Sequence, residues 1–263
     1  MIGEAVYGYW TPCFWGLAVL AGFLGWGSAI QRAGSLPQTD WGLRCAWGMA
    51  FVTVSGGLLA CLSLAAKPVL IGMVAAGALL AVLFCGPSLS SILTNRRSTL
   101  GVFGFVALIL LFYAAFVDVR WSNACDDDVA YFVFAKRLLD SGTLIEPFSL
   151  RRLSAYGGHS LLQAVIWAFG SQKSLYILDA GLCGVVLAGM IFGSCRRAKI
   201  SIGCACLIAG AAILLPVPRI NSMSQATGIV LFFALFRTLR NSAQRTPRWQ
   251  DCAIAGMCTA AGM

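Results

Sequence analysis

The sequence returns repeatedly to apolar runs near or above the roughly 18 residues that cross a bilayer, and that recurrence limits its fold more than any other feature. Hydrocarbon offers no hydrogen-bond partner, so such runs fold as helices that satisfy their own backbone. They fall at about 14–30, 45–66, 69–85, 100–119, 175–194, 200–217 and 225–239, the last being short and polar at its start. Lys67 and Pro68 alone separate the second run from the third, which predicts a tight antiparallel hairpin. With 11% charged residues and a mean hydropathy of +0.82, the composition lies far outside the range of soluble globular domains.

The net charge of +9 would suggest nucleic acid in a soluble protein, but the basic residues here sit in short connectors. If every run spans, connectors 31–44, 86–98, 195–199 and 237–250 share one side, and they hold eleven Lys and Arg. The opposite short connectors hold only Lys67 and Arg219. The positive-inside rule then places the N-terminus and the long connector 119–174 outside, and leaves no basic surface suited to nucleic acid. That long connector is nearly balanced, with five acids against six bases.

The start, "MIGEAVYGYWTPCF", lacks a basic n-region, so the first run is expected to be a retained helix. The closing "DCAIAGMCTAAGM" is apolar but too short to span, which predicts that the chain is the front part of a longer polypeptide. Most of the eleven cysteines lie in or beside apolar runs and read as buried thiols. Cys204 and Cys206 point to different faces of a helix, and with one histidine in the chain there is no metal-ligand spacing.

The long connector concentrates the chemistry. Asp126 to Ser141 reads as a helix, with acids at its start, "VAYFVFAKRLL" through it and Gly142 just past it. Val129, Phe132, Val133 and Leu139 would form its apolar face, as in a helix lying at the membrane interface. After Pro147, "HSLLQAVIWAF" forms a second short helix ending at Gly170, which lies along the surface or re-enters. The triplet Asp126-Asp127-Asp128 has two readings. One carboxylate would suffice to cap a helix, whereas three in a row near a low-dielectric boundary repel one another, so that one gains a raised pKa or takes a cation. Such a group suits a general base or a metal ligand.

"DDVAYFVFAKRLLDSGTLIEP", Asp127 to Pro147, resembles the first external loop of the GT-C class of polytopic glycosyltransferases, which includes protein mannosyltransferases and the aminoarabinose transferases of lipid A. The matching positions are Asp127, Asp128, Tyr131, Ser141, Gly142 and Pro147, with Phe169-Gly170 closing a second helix. The chain departs from that family in three ways. Three helices precede the loop where many members have one, "YGGHSLL" replaces a Lys-Pro-Pro element, and the family's later helices and C-terminal domain are absent from this sequence.

The resemblance implies inverting transfer of a hexosyl or pentosyl group from a polyprenyl-phosphate donor to a glycan, lipid or protein acceptor on the outer face of a bacterial inner membrane. Asp127 would be the base and Asp128 its assistant or the holder of a divalent cation, the one candidate cofactor, while Asp126 caps the helix. Tyr131, Arg151, Arg152 and His159 are the expected substrate-binding residues. Arg151 and Arg152 equally suit lipid headgroups or Glu146, and His159 suits a hydrogen bond at a helix start. Asp179 is expected to face the same external cavity, because a carboxylate turned to lipid is expensive.

The expected fold is therefore all-α, a polytopic transmembrane bundle whose long external loop carries two short interfacial helices. Three regions follow: 1–118 as a four-helix membrane part, 119–174 as the acidic loop, and 175–263 as further transmembrane helices. Two other functions remain open, a non-catalytic or partial relative and a transporter or flippase of lipid-linked sugars. The second predicts charged or broken helices at mid-membrane.

Overall fold

The computed structural model describes residues 2–92, 131–144, 157–170, 172–214, 225–243, 246 and 248–262, though not the side chains of 2–9, 85–92, 173, 180, 213 and 214. Among these residues the chain is all-α, with nine α-helices: α1 (Ile2–Ala33), α2 (Trp41–Cys61), α3 (Lys67–Ile92), α4 (Phe132–Ser141), α5 (Gly158–Trp167), α6 (Cys183–Arg197), α7 (Ile202–Leu214), α8 (Gln225–Ala243) and α9 (Trp249–Gly262). A π-helical turn, Ile177–Leu182, runs directly into α6.

Four stretches are long and apolar enough to cross a membrane: Trp10–Ala33, Trp41–Cys61, Lys67–Phe84 and Ile177–Arg197. The protein is a multi-pass membrane protein by this measure. The run at 100–119 lies outside the described residues. Helix α7 is shorter, 13 residues, and α8 has the length of a span but carries Arg237 and Arg240 in its second half.

α2 is the central helix, packed by α1, α5, α6, α8 and α9. Its approach to α1 depends on missing side chains, the usual device where lipid supplies no drive for helix association. A Cβ on Gly48 would collide with the Phe23 carbonyl, and one on Gly27 with the Arg44 carbonyl. On the other side of α1, a Cβ at Gly25 would strike the Gly77 carbonyl of α3. Trp26 fastens the same seam by donating from Nε1 to the Met73 carbonyl at 2.9 Å. Away from the seam, Leu79, Val82 and Leu83 of α3 and Phe232 and Phe236 of α8 are exposed, which suits contact with acyl chains.

The two short helices of the long connector form against this bundle. The expected start of the first, Asp126 to Ala130, lies outside the described residues; the buried residues of α4 are Phe132, Phe134, Ala135 and Leu138, whereas Val133 and Leu139 are half-buried. The buried face is therefore rotated from the one periodicity suggested, because α5 and α3 cover it from one side. Gly142 ends α4 in the left-handed region at φ 73°, donating to the Leu138 carbonyl at 2.9 Å. Its own carbonyl accepts from Ala65 N at 3.0 Å, which pins the end of α4 to the α2–α3 hairpin. A Cβ there would meet the Ser63 carbonyl at 2.8 Å, so glycine is required on two counts.

In α5, Ser160 to Ile166 are all buried. Of the two expectations for this helix, burial agrees with a segment set into the bundle. Leu161 fills the notch left by Gly56 of α2, and Gly158 sits against the Ala261 carbonyl of α9 and the Thr53 methyl. Trp15 of α1 donates from Nε1 to the Val165 carbonyl at 2.9 Å.

Candidate functional site

Two polar clusters lie at opposite ends of the bundle, one beside α4 and α5 and the other where the basic connectors meet. The first is built on the π-helical turn. Inserting a residue into a helix re-aims side chains, and such turns recur at functional positions. Here the turn aims the carboxylate of Asp179 at the first amides of α8: Oδ2 accepts from Ala226 N at 3.1 Å and Oδ1 from Thr227 N at 2.7 Å. The Thr227 hydroxyl gives Oδ1 a third donor at 2.9 Å. Asp179 is thus an N-terminal cap supplied by another segment of chain, satisfying amides that have no partner inside α8.

Thr227 Oγ1 also lies 3.3 Å from His159 Nδ1 and 3.4 Å from Cys183 Sγ. Its one hydrogen is given to the carboxylate, which only accepts. His159 must therefore present Nδ1–H to the hydroxyl oxygen. The order Asp179, Thr227, His159 links the π turn, α8 and the start of α5 through side chains alone.

Tyr131, half-buried, stands at the entry to α4. The next residue, Phe132, meets Trp167 and Tyr176 edge-on with ring centroids 6.5 and 6.4 Å apart. These aromatic contacts fix the start of α4 against the end of α5 and the approach to the π turn. A largely apolar cavity of about 340 Å³ lies at this end, lined by Thr53, Gly57 and Leu58 of α2, Gly158 and Leu161 of α5, and Ala260 of α9.

Asp127, Asp128, Arg151 and Arg152 lie outside the described residues, as does Asp126. Of the expected site residues, Tyr131 and His159 are described, Tyr131 beside α4 and His159 in the cluster with Thr227. His159 does make a hydrogen bond from a helix start, but the partner is a distant helix. Thr227, which joins His159 to Asp179, carries no signal in the sequence beyond its place in the polar opening of the last long helix.

The second cluster is built on Asp40. Its Oδ1 accepts from Leu43 N at 3.0 Å, capping its own helix α2. Arg237 of α8 reaches both oxygens, Nη2 to Oδ2 at 2.6 Å and Nη1 to Oδ1 at 3.2 Å, the bidentate arrangement that strengthens such pairs. Arg237 also donates to the Met190 carbonyl at 3.0 Å, and its side chain is 6% exposed. Arg197, more exposed, bonds Asp40 Oδ2 at 3.3 Å and Asn241 Oδ1 at 3.2 Å. Nearby, Trp47 Nε1 donates to the Thr238 hydroxyl at 3.0 Å. Arg248 donates to the Ser35 carbonyl at 3.4 Å, so the described parts of three basic connectors converge at one end.

Among the described residues no group of His, Cys, Asp and Glu is placed to hold a metal ion. The described cysteines are free thiols. Compared with known proteins, the chain matches no protein-family model, no curated protein and no solved structure. No family is identified for it, and the GT-C resemblance rests on the loop motif alone.

Proposed function

We propose that the protein is a membrane glycosyltransferase that moves a sugar from a polyprenyl-phosphate donor to an acceptor at the end of the bundle where α4 and α5 lie. The observation that carries this reading is the stretch Asp127 to Pro147, in which an acidic pair precedes Tyr131, a helix and the Gly142 stop. Two features of the fold support it. α4 ends at Gly142 in a conformation that only glycine adopts freely, so the spacing from Tyr131 to Gly142 has a structural purpose. The apolar cavity at the same end suits the prenyl part of a lipid-linked donor.

In this reading Asp127 removes the acceptor hydroxyl proton, and Asp128 assists it or holds a divalent cation. Arg151 and Arg152 meet the departing phosphate. His159 and Tyr131 contact substrate from the helix starts that hold them. The acceptor is a glycan, a lipid or a protein, and the site faces the outside of a bacterial inner membrane.

A second reading, a carrier of lipid-linked sugars, has one observation in its favour: Asp179 is a charged group in the π turn that opens an apolar segment long enough to span. One assay separates the two. Membranes carrying the protein are supplied with a radiolabelled polyprenyl-phosphate sugar, and transfer to an endogenous acceptor is followed. Asp127→Asn should lower transfer a hundredfold or more while the chain still inserts. Undiminished transfer by that variant would sink the assignment, and lipid flipping without transfer by the wild type would favour the carrier.

A further inference from the structure

The basic end holds a cavity of about 330 Å³ that the proposed transfer reaction does not use. Arg197, Asn241, Gln38, Thr39, Trp47 and Asp251 contribute to its lining. Three observations describe what it can take.

The first is an imbalance of charge. Arg197 and Arg237 share the single carboxylate of Asp40, and Arg237 takes the shorter, bidentate share. Arg197 keeps one bond to Asp40 and one to Asn241, so the rest of its guanidinium N–H groups point to no partner among the described residues. Its side chain is 40% exposed, open to an incoming anion.

The second is a stranded donor. Thr39 Oγ1 is buried and has no hydrogen-bond partner among the described residues. A hydroxyl in that condition is costly unless a ligand takes up its hydrogen bond. The third is the chemistry of the remaining wall. Asp251 is a buried member of the same lining whose carboxylate already accepts from Arg248 N at 3.0 Å, with lone pairs for a further donor. A ligand that is anionic along its whole length would be repelled, whereas one with a phosphate at one end and a hydrogen-bond donor at the other is accommodated.

We propose that this cavity binds a phosphodiester head group, the phosphate held by Arg197 and the Thr39 hydroxyl and the hydroxyl or ammonium terminus directed to Asp251. The volume is at the lower end of the range for small-molecule sites and matches a head group without its acyl chains. Asn241 holds the Arg197 guanidinium in place, and Trp47 supplies an apolar wall fixed by its bond to Thr238. The chemistry is shared by a membrane phospholipid and by a free phosphodiester.

The full chain, purified in detergent and stripped of lipid, is titrated with dihexanoyl phosphatidylglycerol, dihexanoyl phosphatidylcholine and water-soluble glycerophosphoglycerol, with thermal unfolding as the readout. Saturable binding of the phosphatidylglycerol is expected, with weaker binding of the choline lipid because its quaternary ammonium cannot donate to Asp251. Arg197→Gln should weaken binding about tenfold and Thr39→Val severalfold. Thr39→Val removes no existing hydrogen bond and relieves an unpaired hydroxyl, so its unfolding temperature without ligand should be no lower than that of the wild type.

If glycerophosphoglycerol binds as well as the lipid, the ligand is a free phosphodiester; if only the lipid binds, it is a phospholipid. Absence of saturable binding by both overturns the proposal. So does equal binding by the choline lipid, or wild-type affinity in Thr39→Val.

Discussion

Asp40 and Asp179 both cap a helix, yet they do it in opposite ways. Asp40 caps the helix it precedes, a contact three residues away in sequence, and then adds two guanidiniums as long-range partners. Asp179 contributes nothing to its own helix end and caps α8 from another segment, through two amides and a hydroxyl. The first is a charge balanced by charge at the basic end. The second is a charge balanced by helix-terminal N–H groups and a neutral hydroxyl. Removing Arg237 from the first leaves a partly buried carboxylate with one weaker charged partner, whereas in the second removing a partner costs a hydrogen bond or two.

That difference ranks the perturbations. Arg237→Met leaves Asp40 with the exposed Arg197 as its charged partner beside the Leu43 amide, and it should destabilise the protein by about 3–5 kcal/mol. Unfolding in detergent followed by helical circular dichroism measures this. A loss below about 1 kcal/mol would mean that the two ends are held equally and that the contrast is false. Adding Asp40→Asn to Arg237→Met should recover part of the loss, since the stranded charge is then gone.

Asp179→Ala removes the cap from α8 and should cost about 1–3 kcal/mol. Hydrogen exchange should then speed up at the amides of Ala226 and Thr227 while those of the α1–α2 seam stay protected. Uniform acceleration would show the cap to be part of the global core.

The smallest effect is chemical. Cys252 and Cys258 lie on α9, the one exposed and the other buried. Burial pushes the Cys258 thiol up to about 12, so at neutral pH it holds almost no thiolate. Maleimide should label Cys252 readily and Cys258 slowly, with the Cys258 rate still rising with pH above 9 because its deprotonation lies higher. Equal labelling at pH 7 would show that α9 opens, which would loosen both the α5 contact at Gly158 and the wall that Asp251 gives the basic-end cavity.

Much of the frame was legible in the residues. Four apolar runs became long helices, and Lys67-Pro68 did mark the start of α3 close behind the end of α2. Gly142 stopped α4 as a glycine after a helix commonly does. Other features were not legible, for reasons that lie in packing. The buried face of α4 follows its neighbours α5 and α3, and no periodicity within α4 encodes where they sit. α5 is too short to span and its sequence leaves two choices, along the surface or into the bundle; Gly56 of α2 and the contact with α9 at Ala261 open the slot that decides for the second.

Arg237 illustrates the limit most clearly. Counted by sequence, it belongs with the basic connectors and marks only a side of the membrane. In the fold it is buried within α8, bonded to a carboxylate 197 residues away. Nothing local distinguishes it from Arg240, which is exposed three residues later. His159 is similar, since its glycine-flanked position predicted a bond at a helix start and could not name Thr227 as the partner.

The sequence by itself determined that this is a helical membrane protein, because a backbone in hydrocarbon has to satisfy its own hydrogen bonds and long apolar runs leave it no other choice. It also determined where charge is scarce and where it gathers. Only the tertiary structure decided which of those scarce charges meet. The packing of α8 against α2, α6 and the π turn brings Asp40 to Arg237 and Asp179 to Thr227. Once lipid excludes water, a buried polar group is stable only beside the partner that this packing supplies.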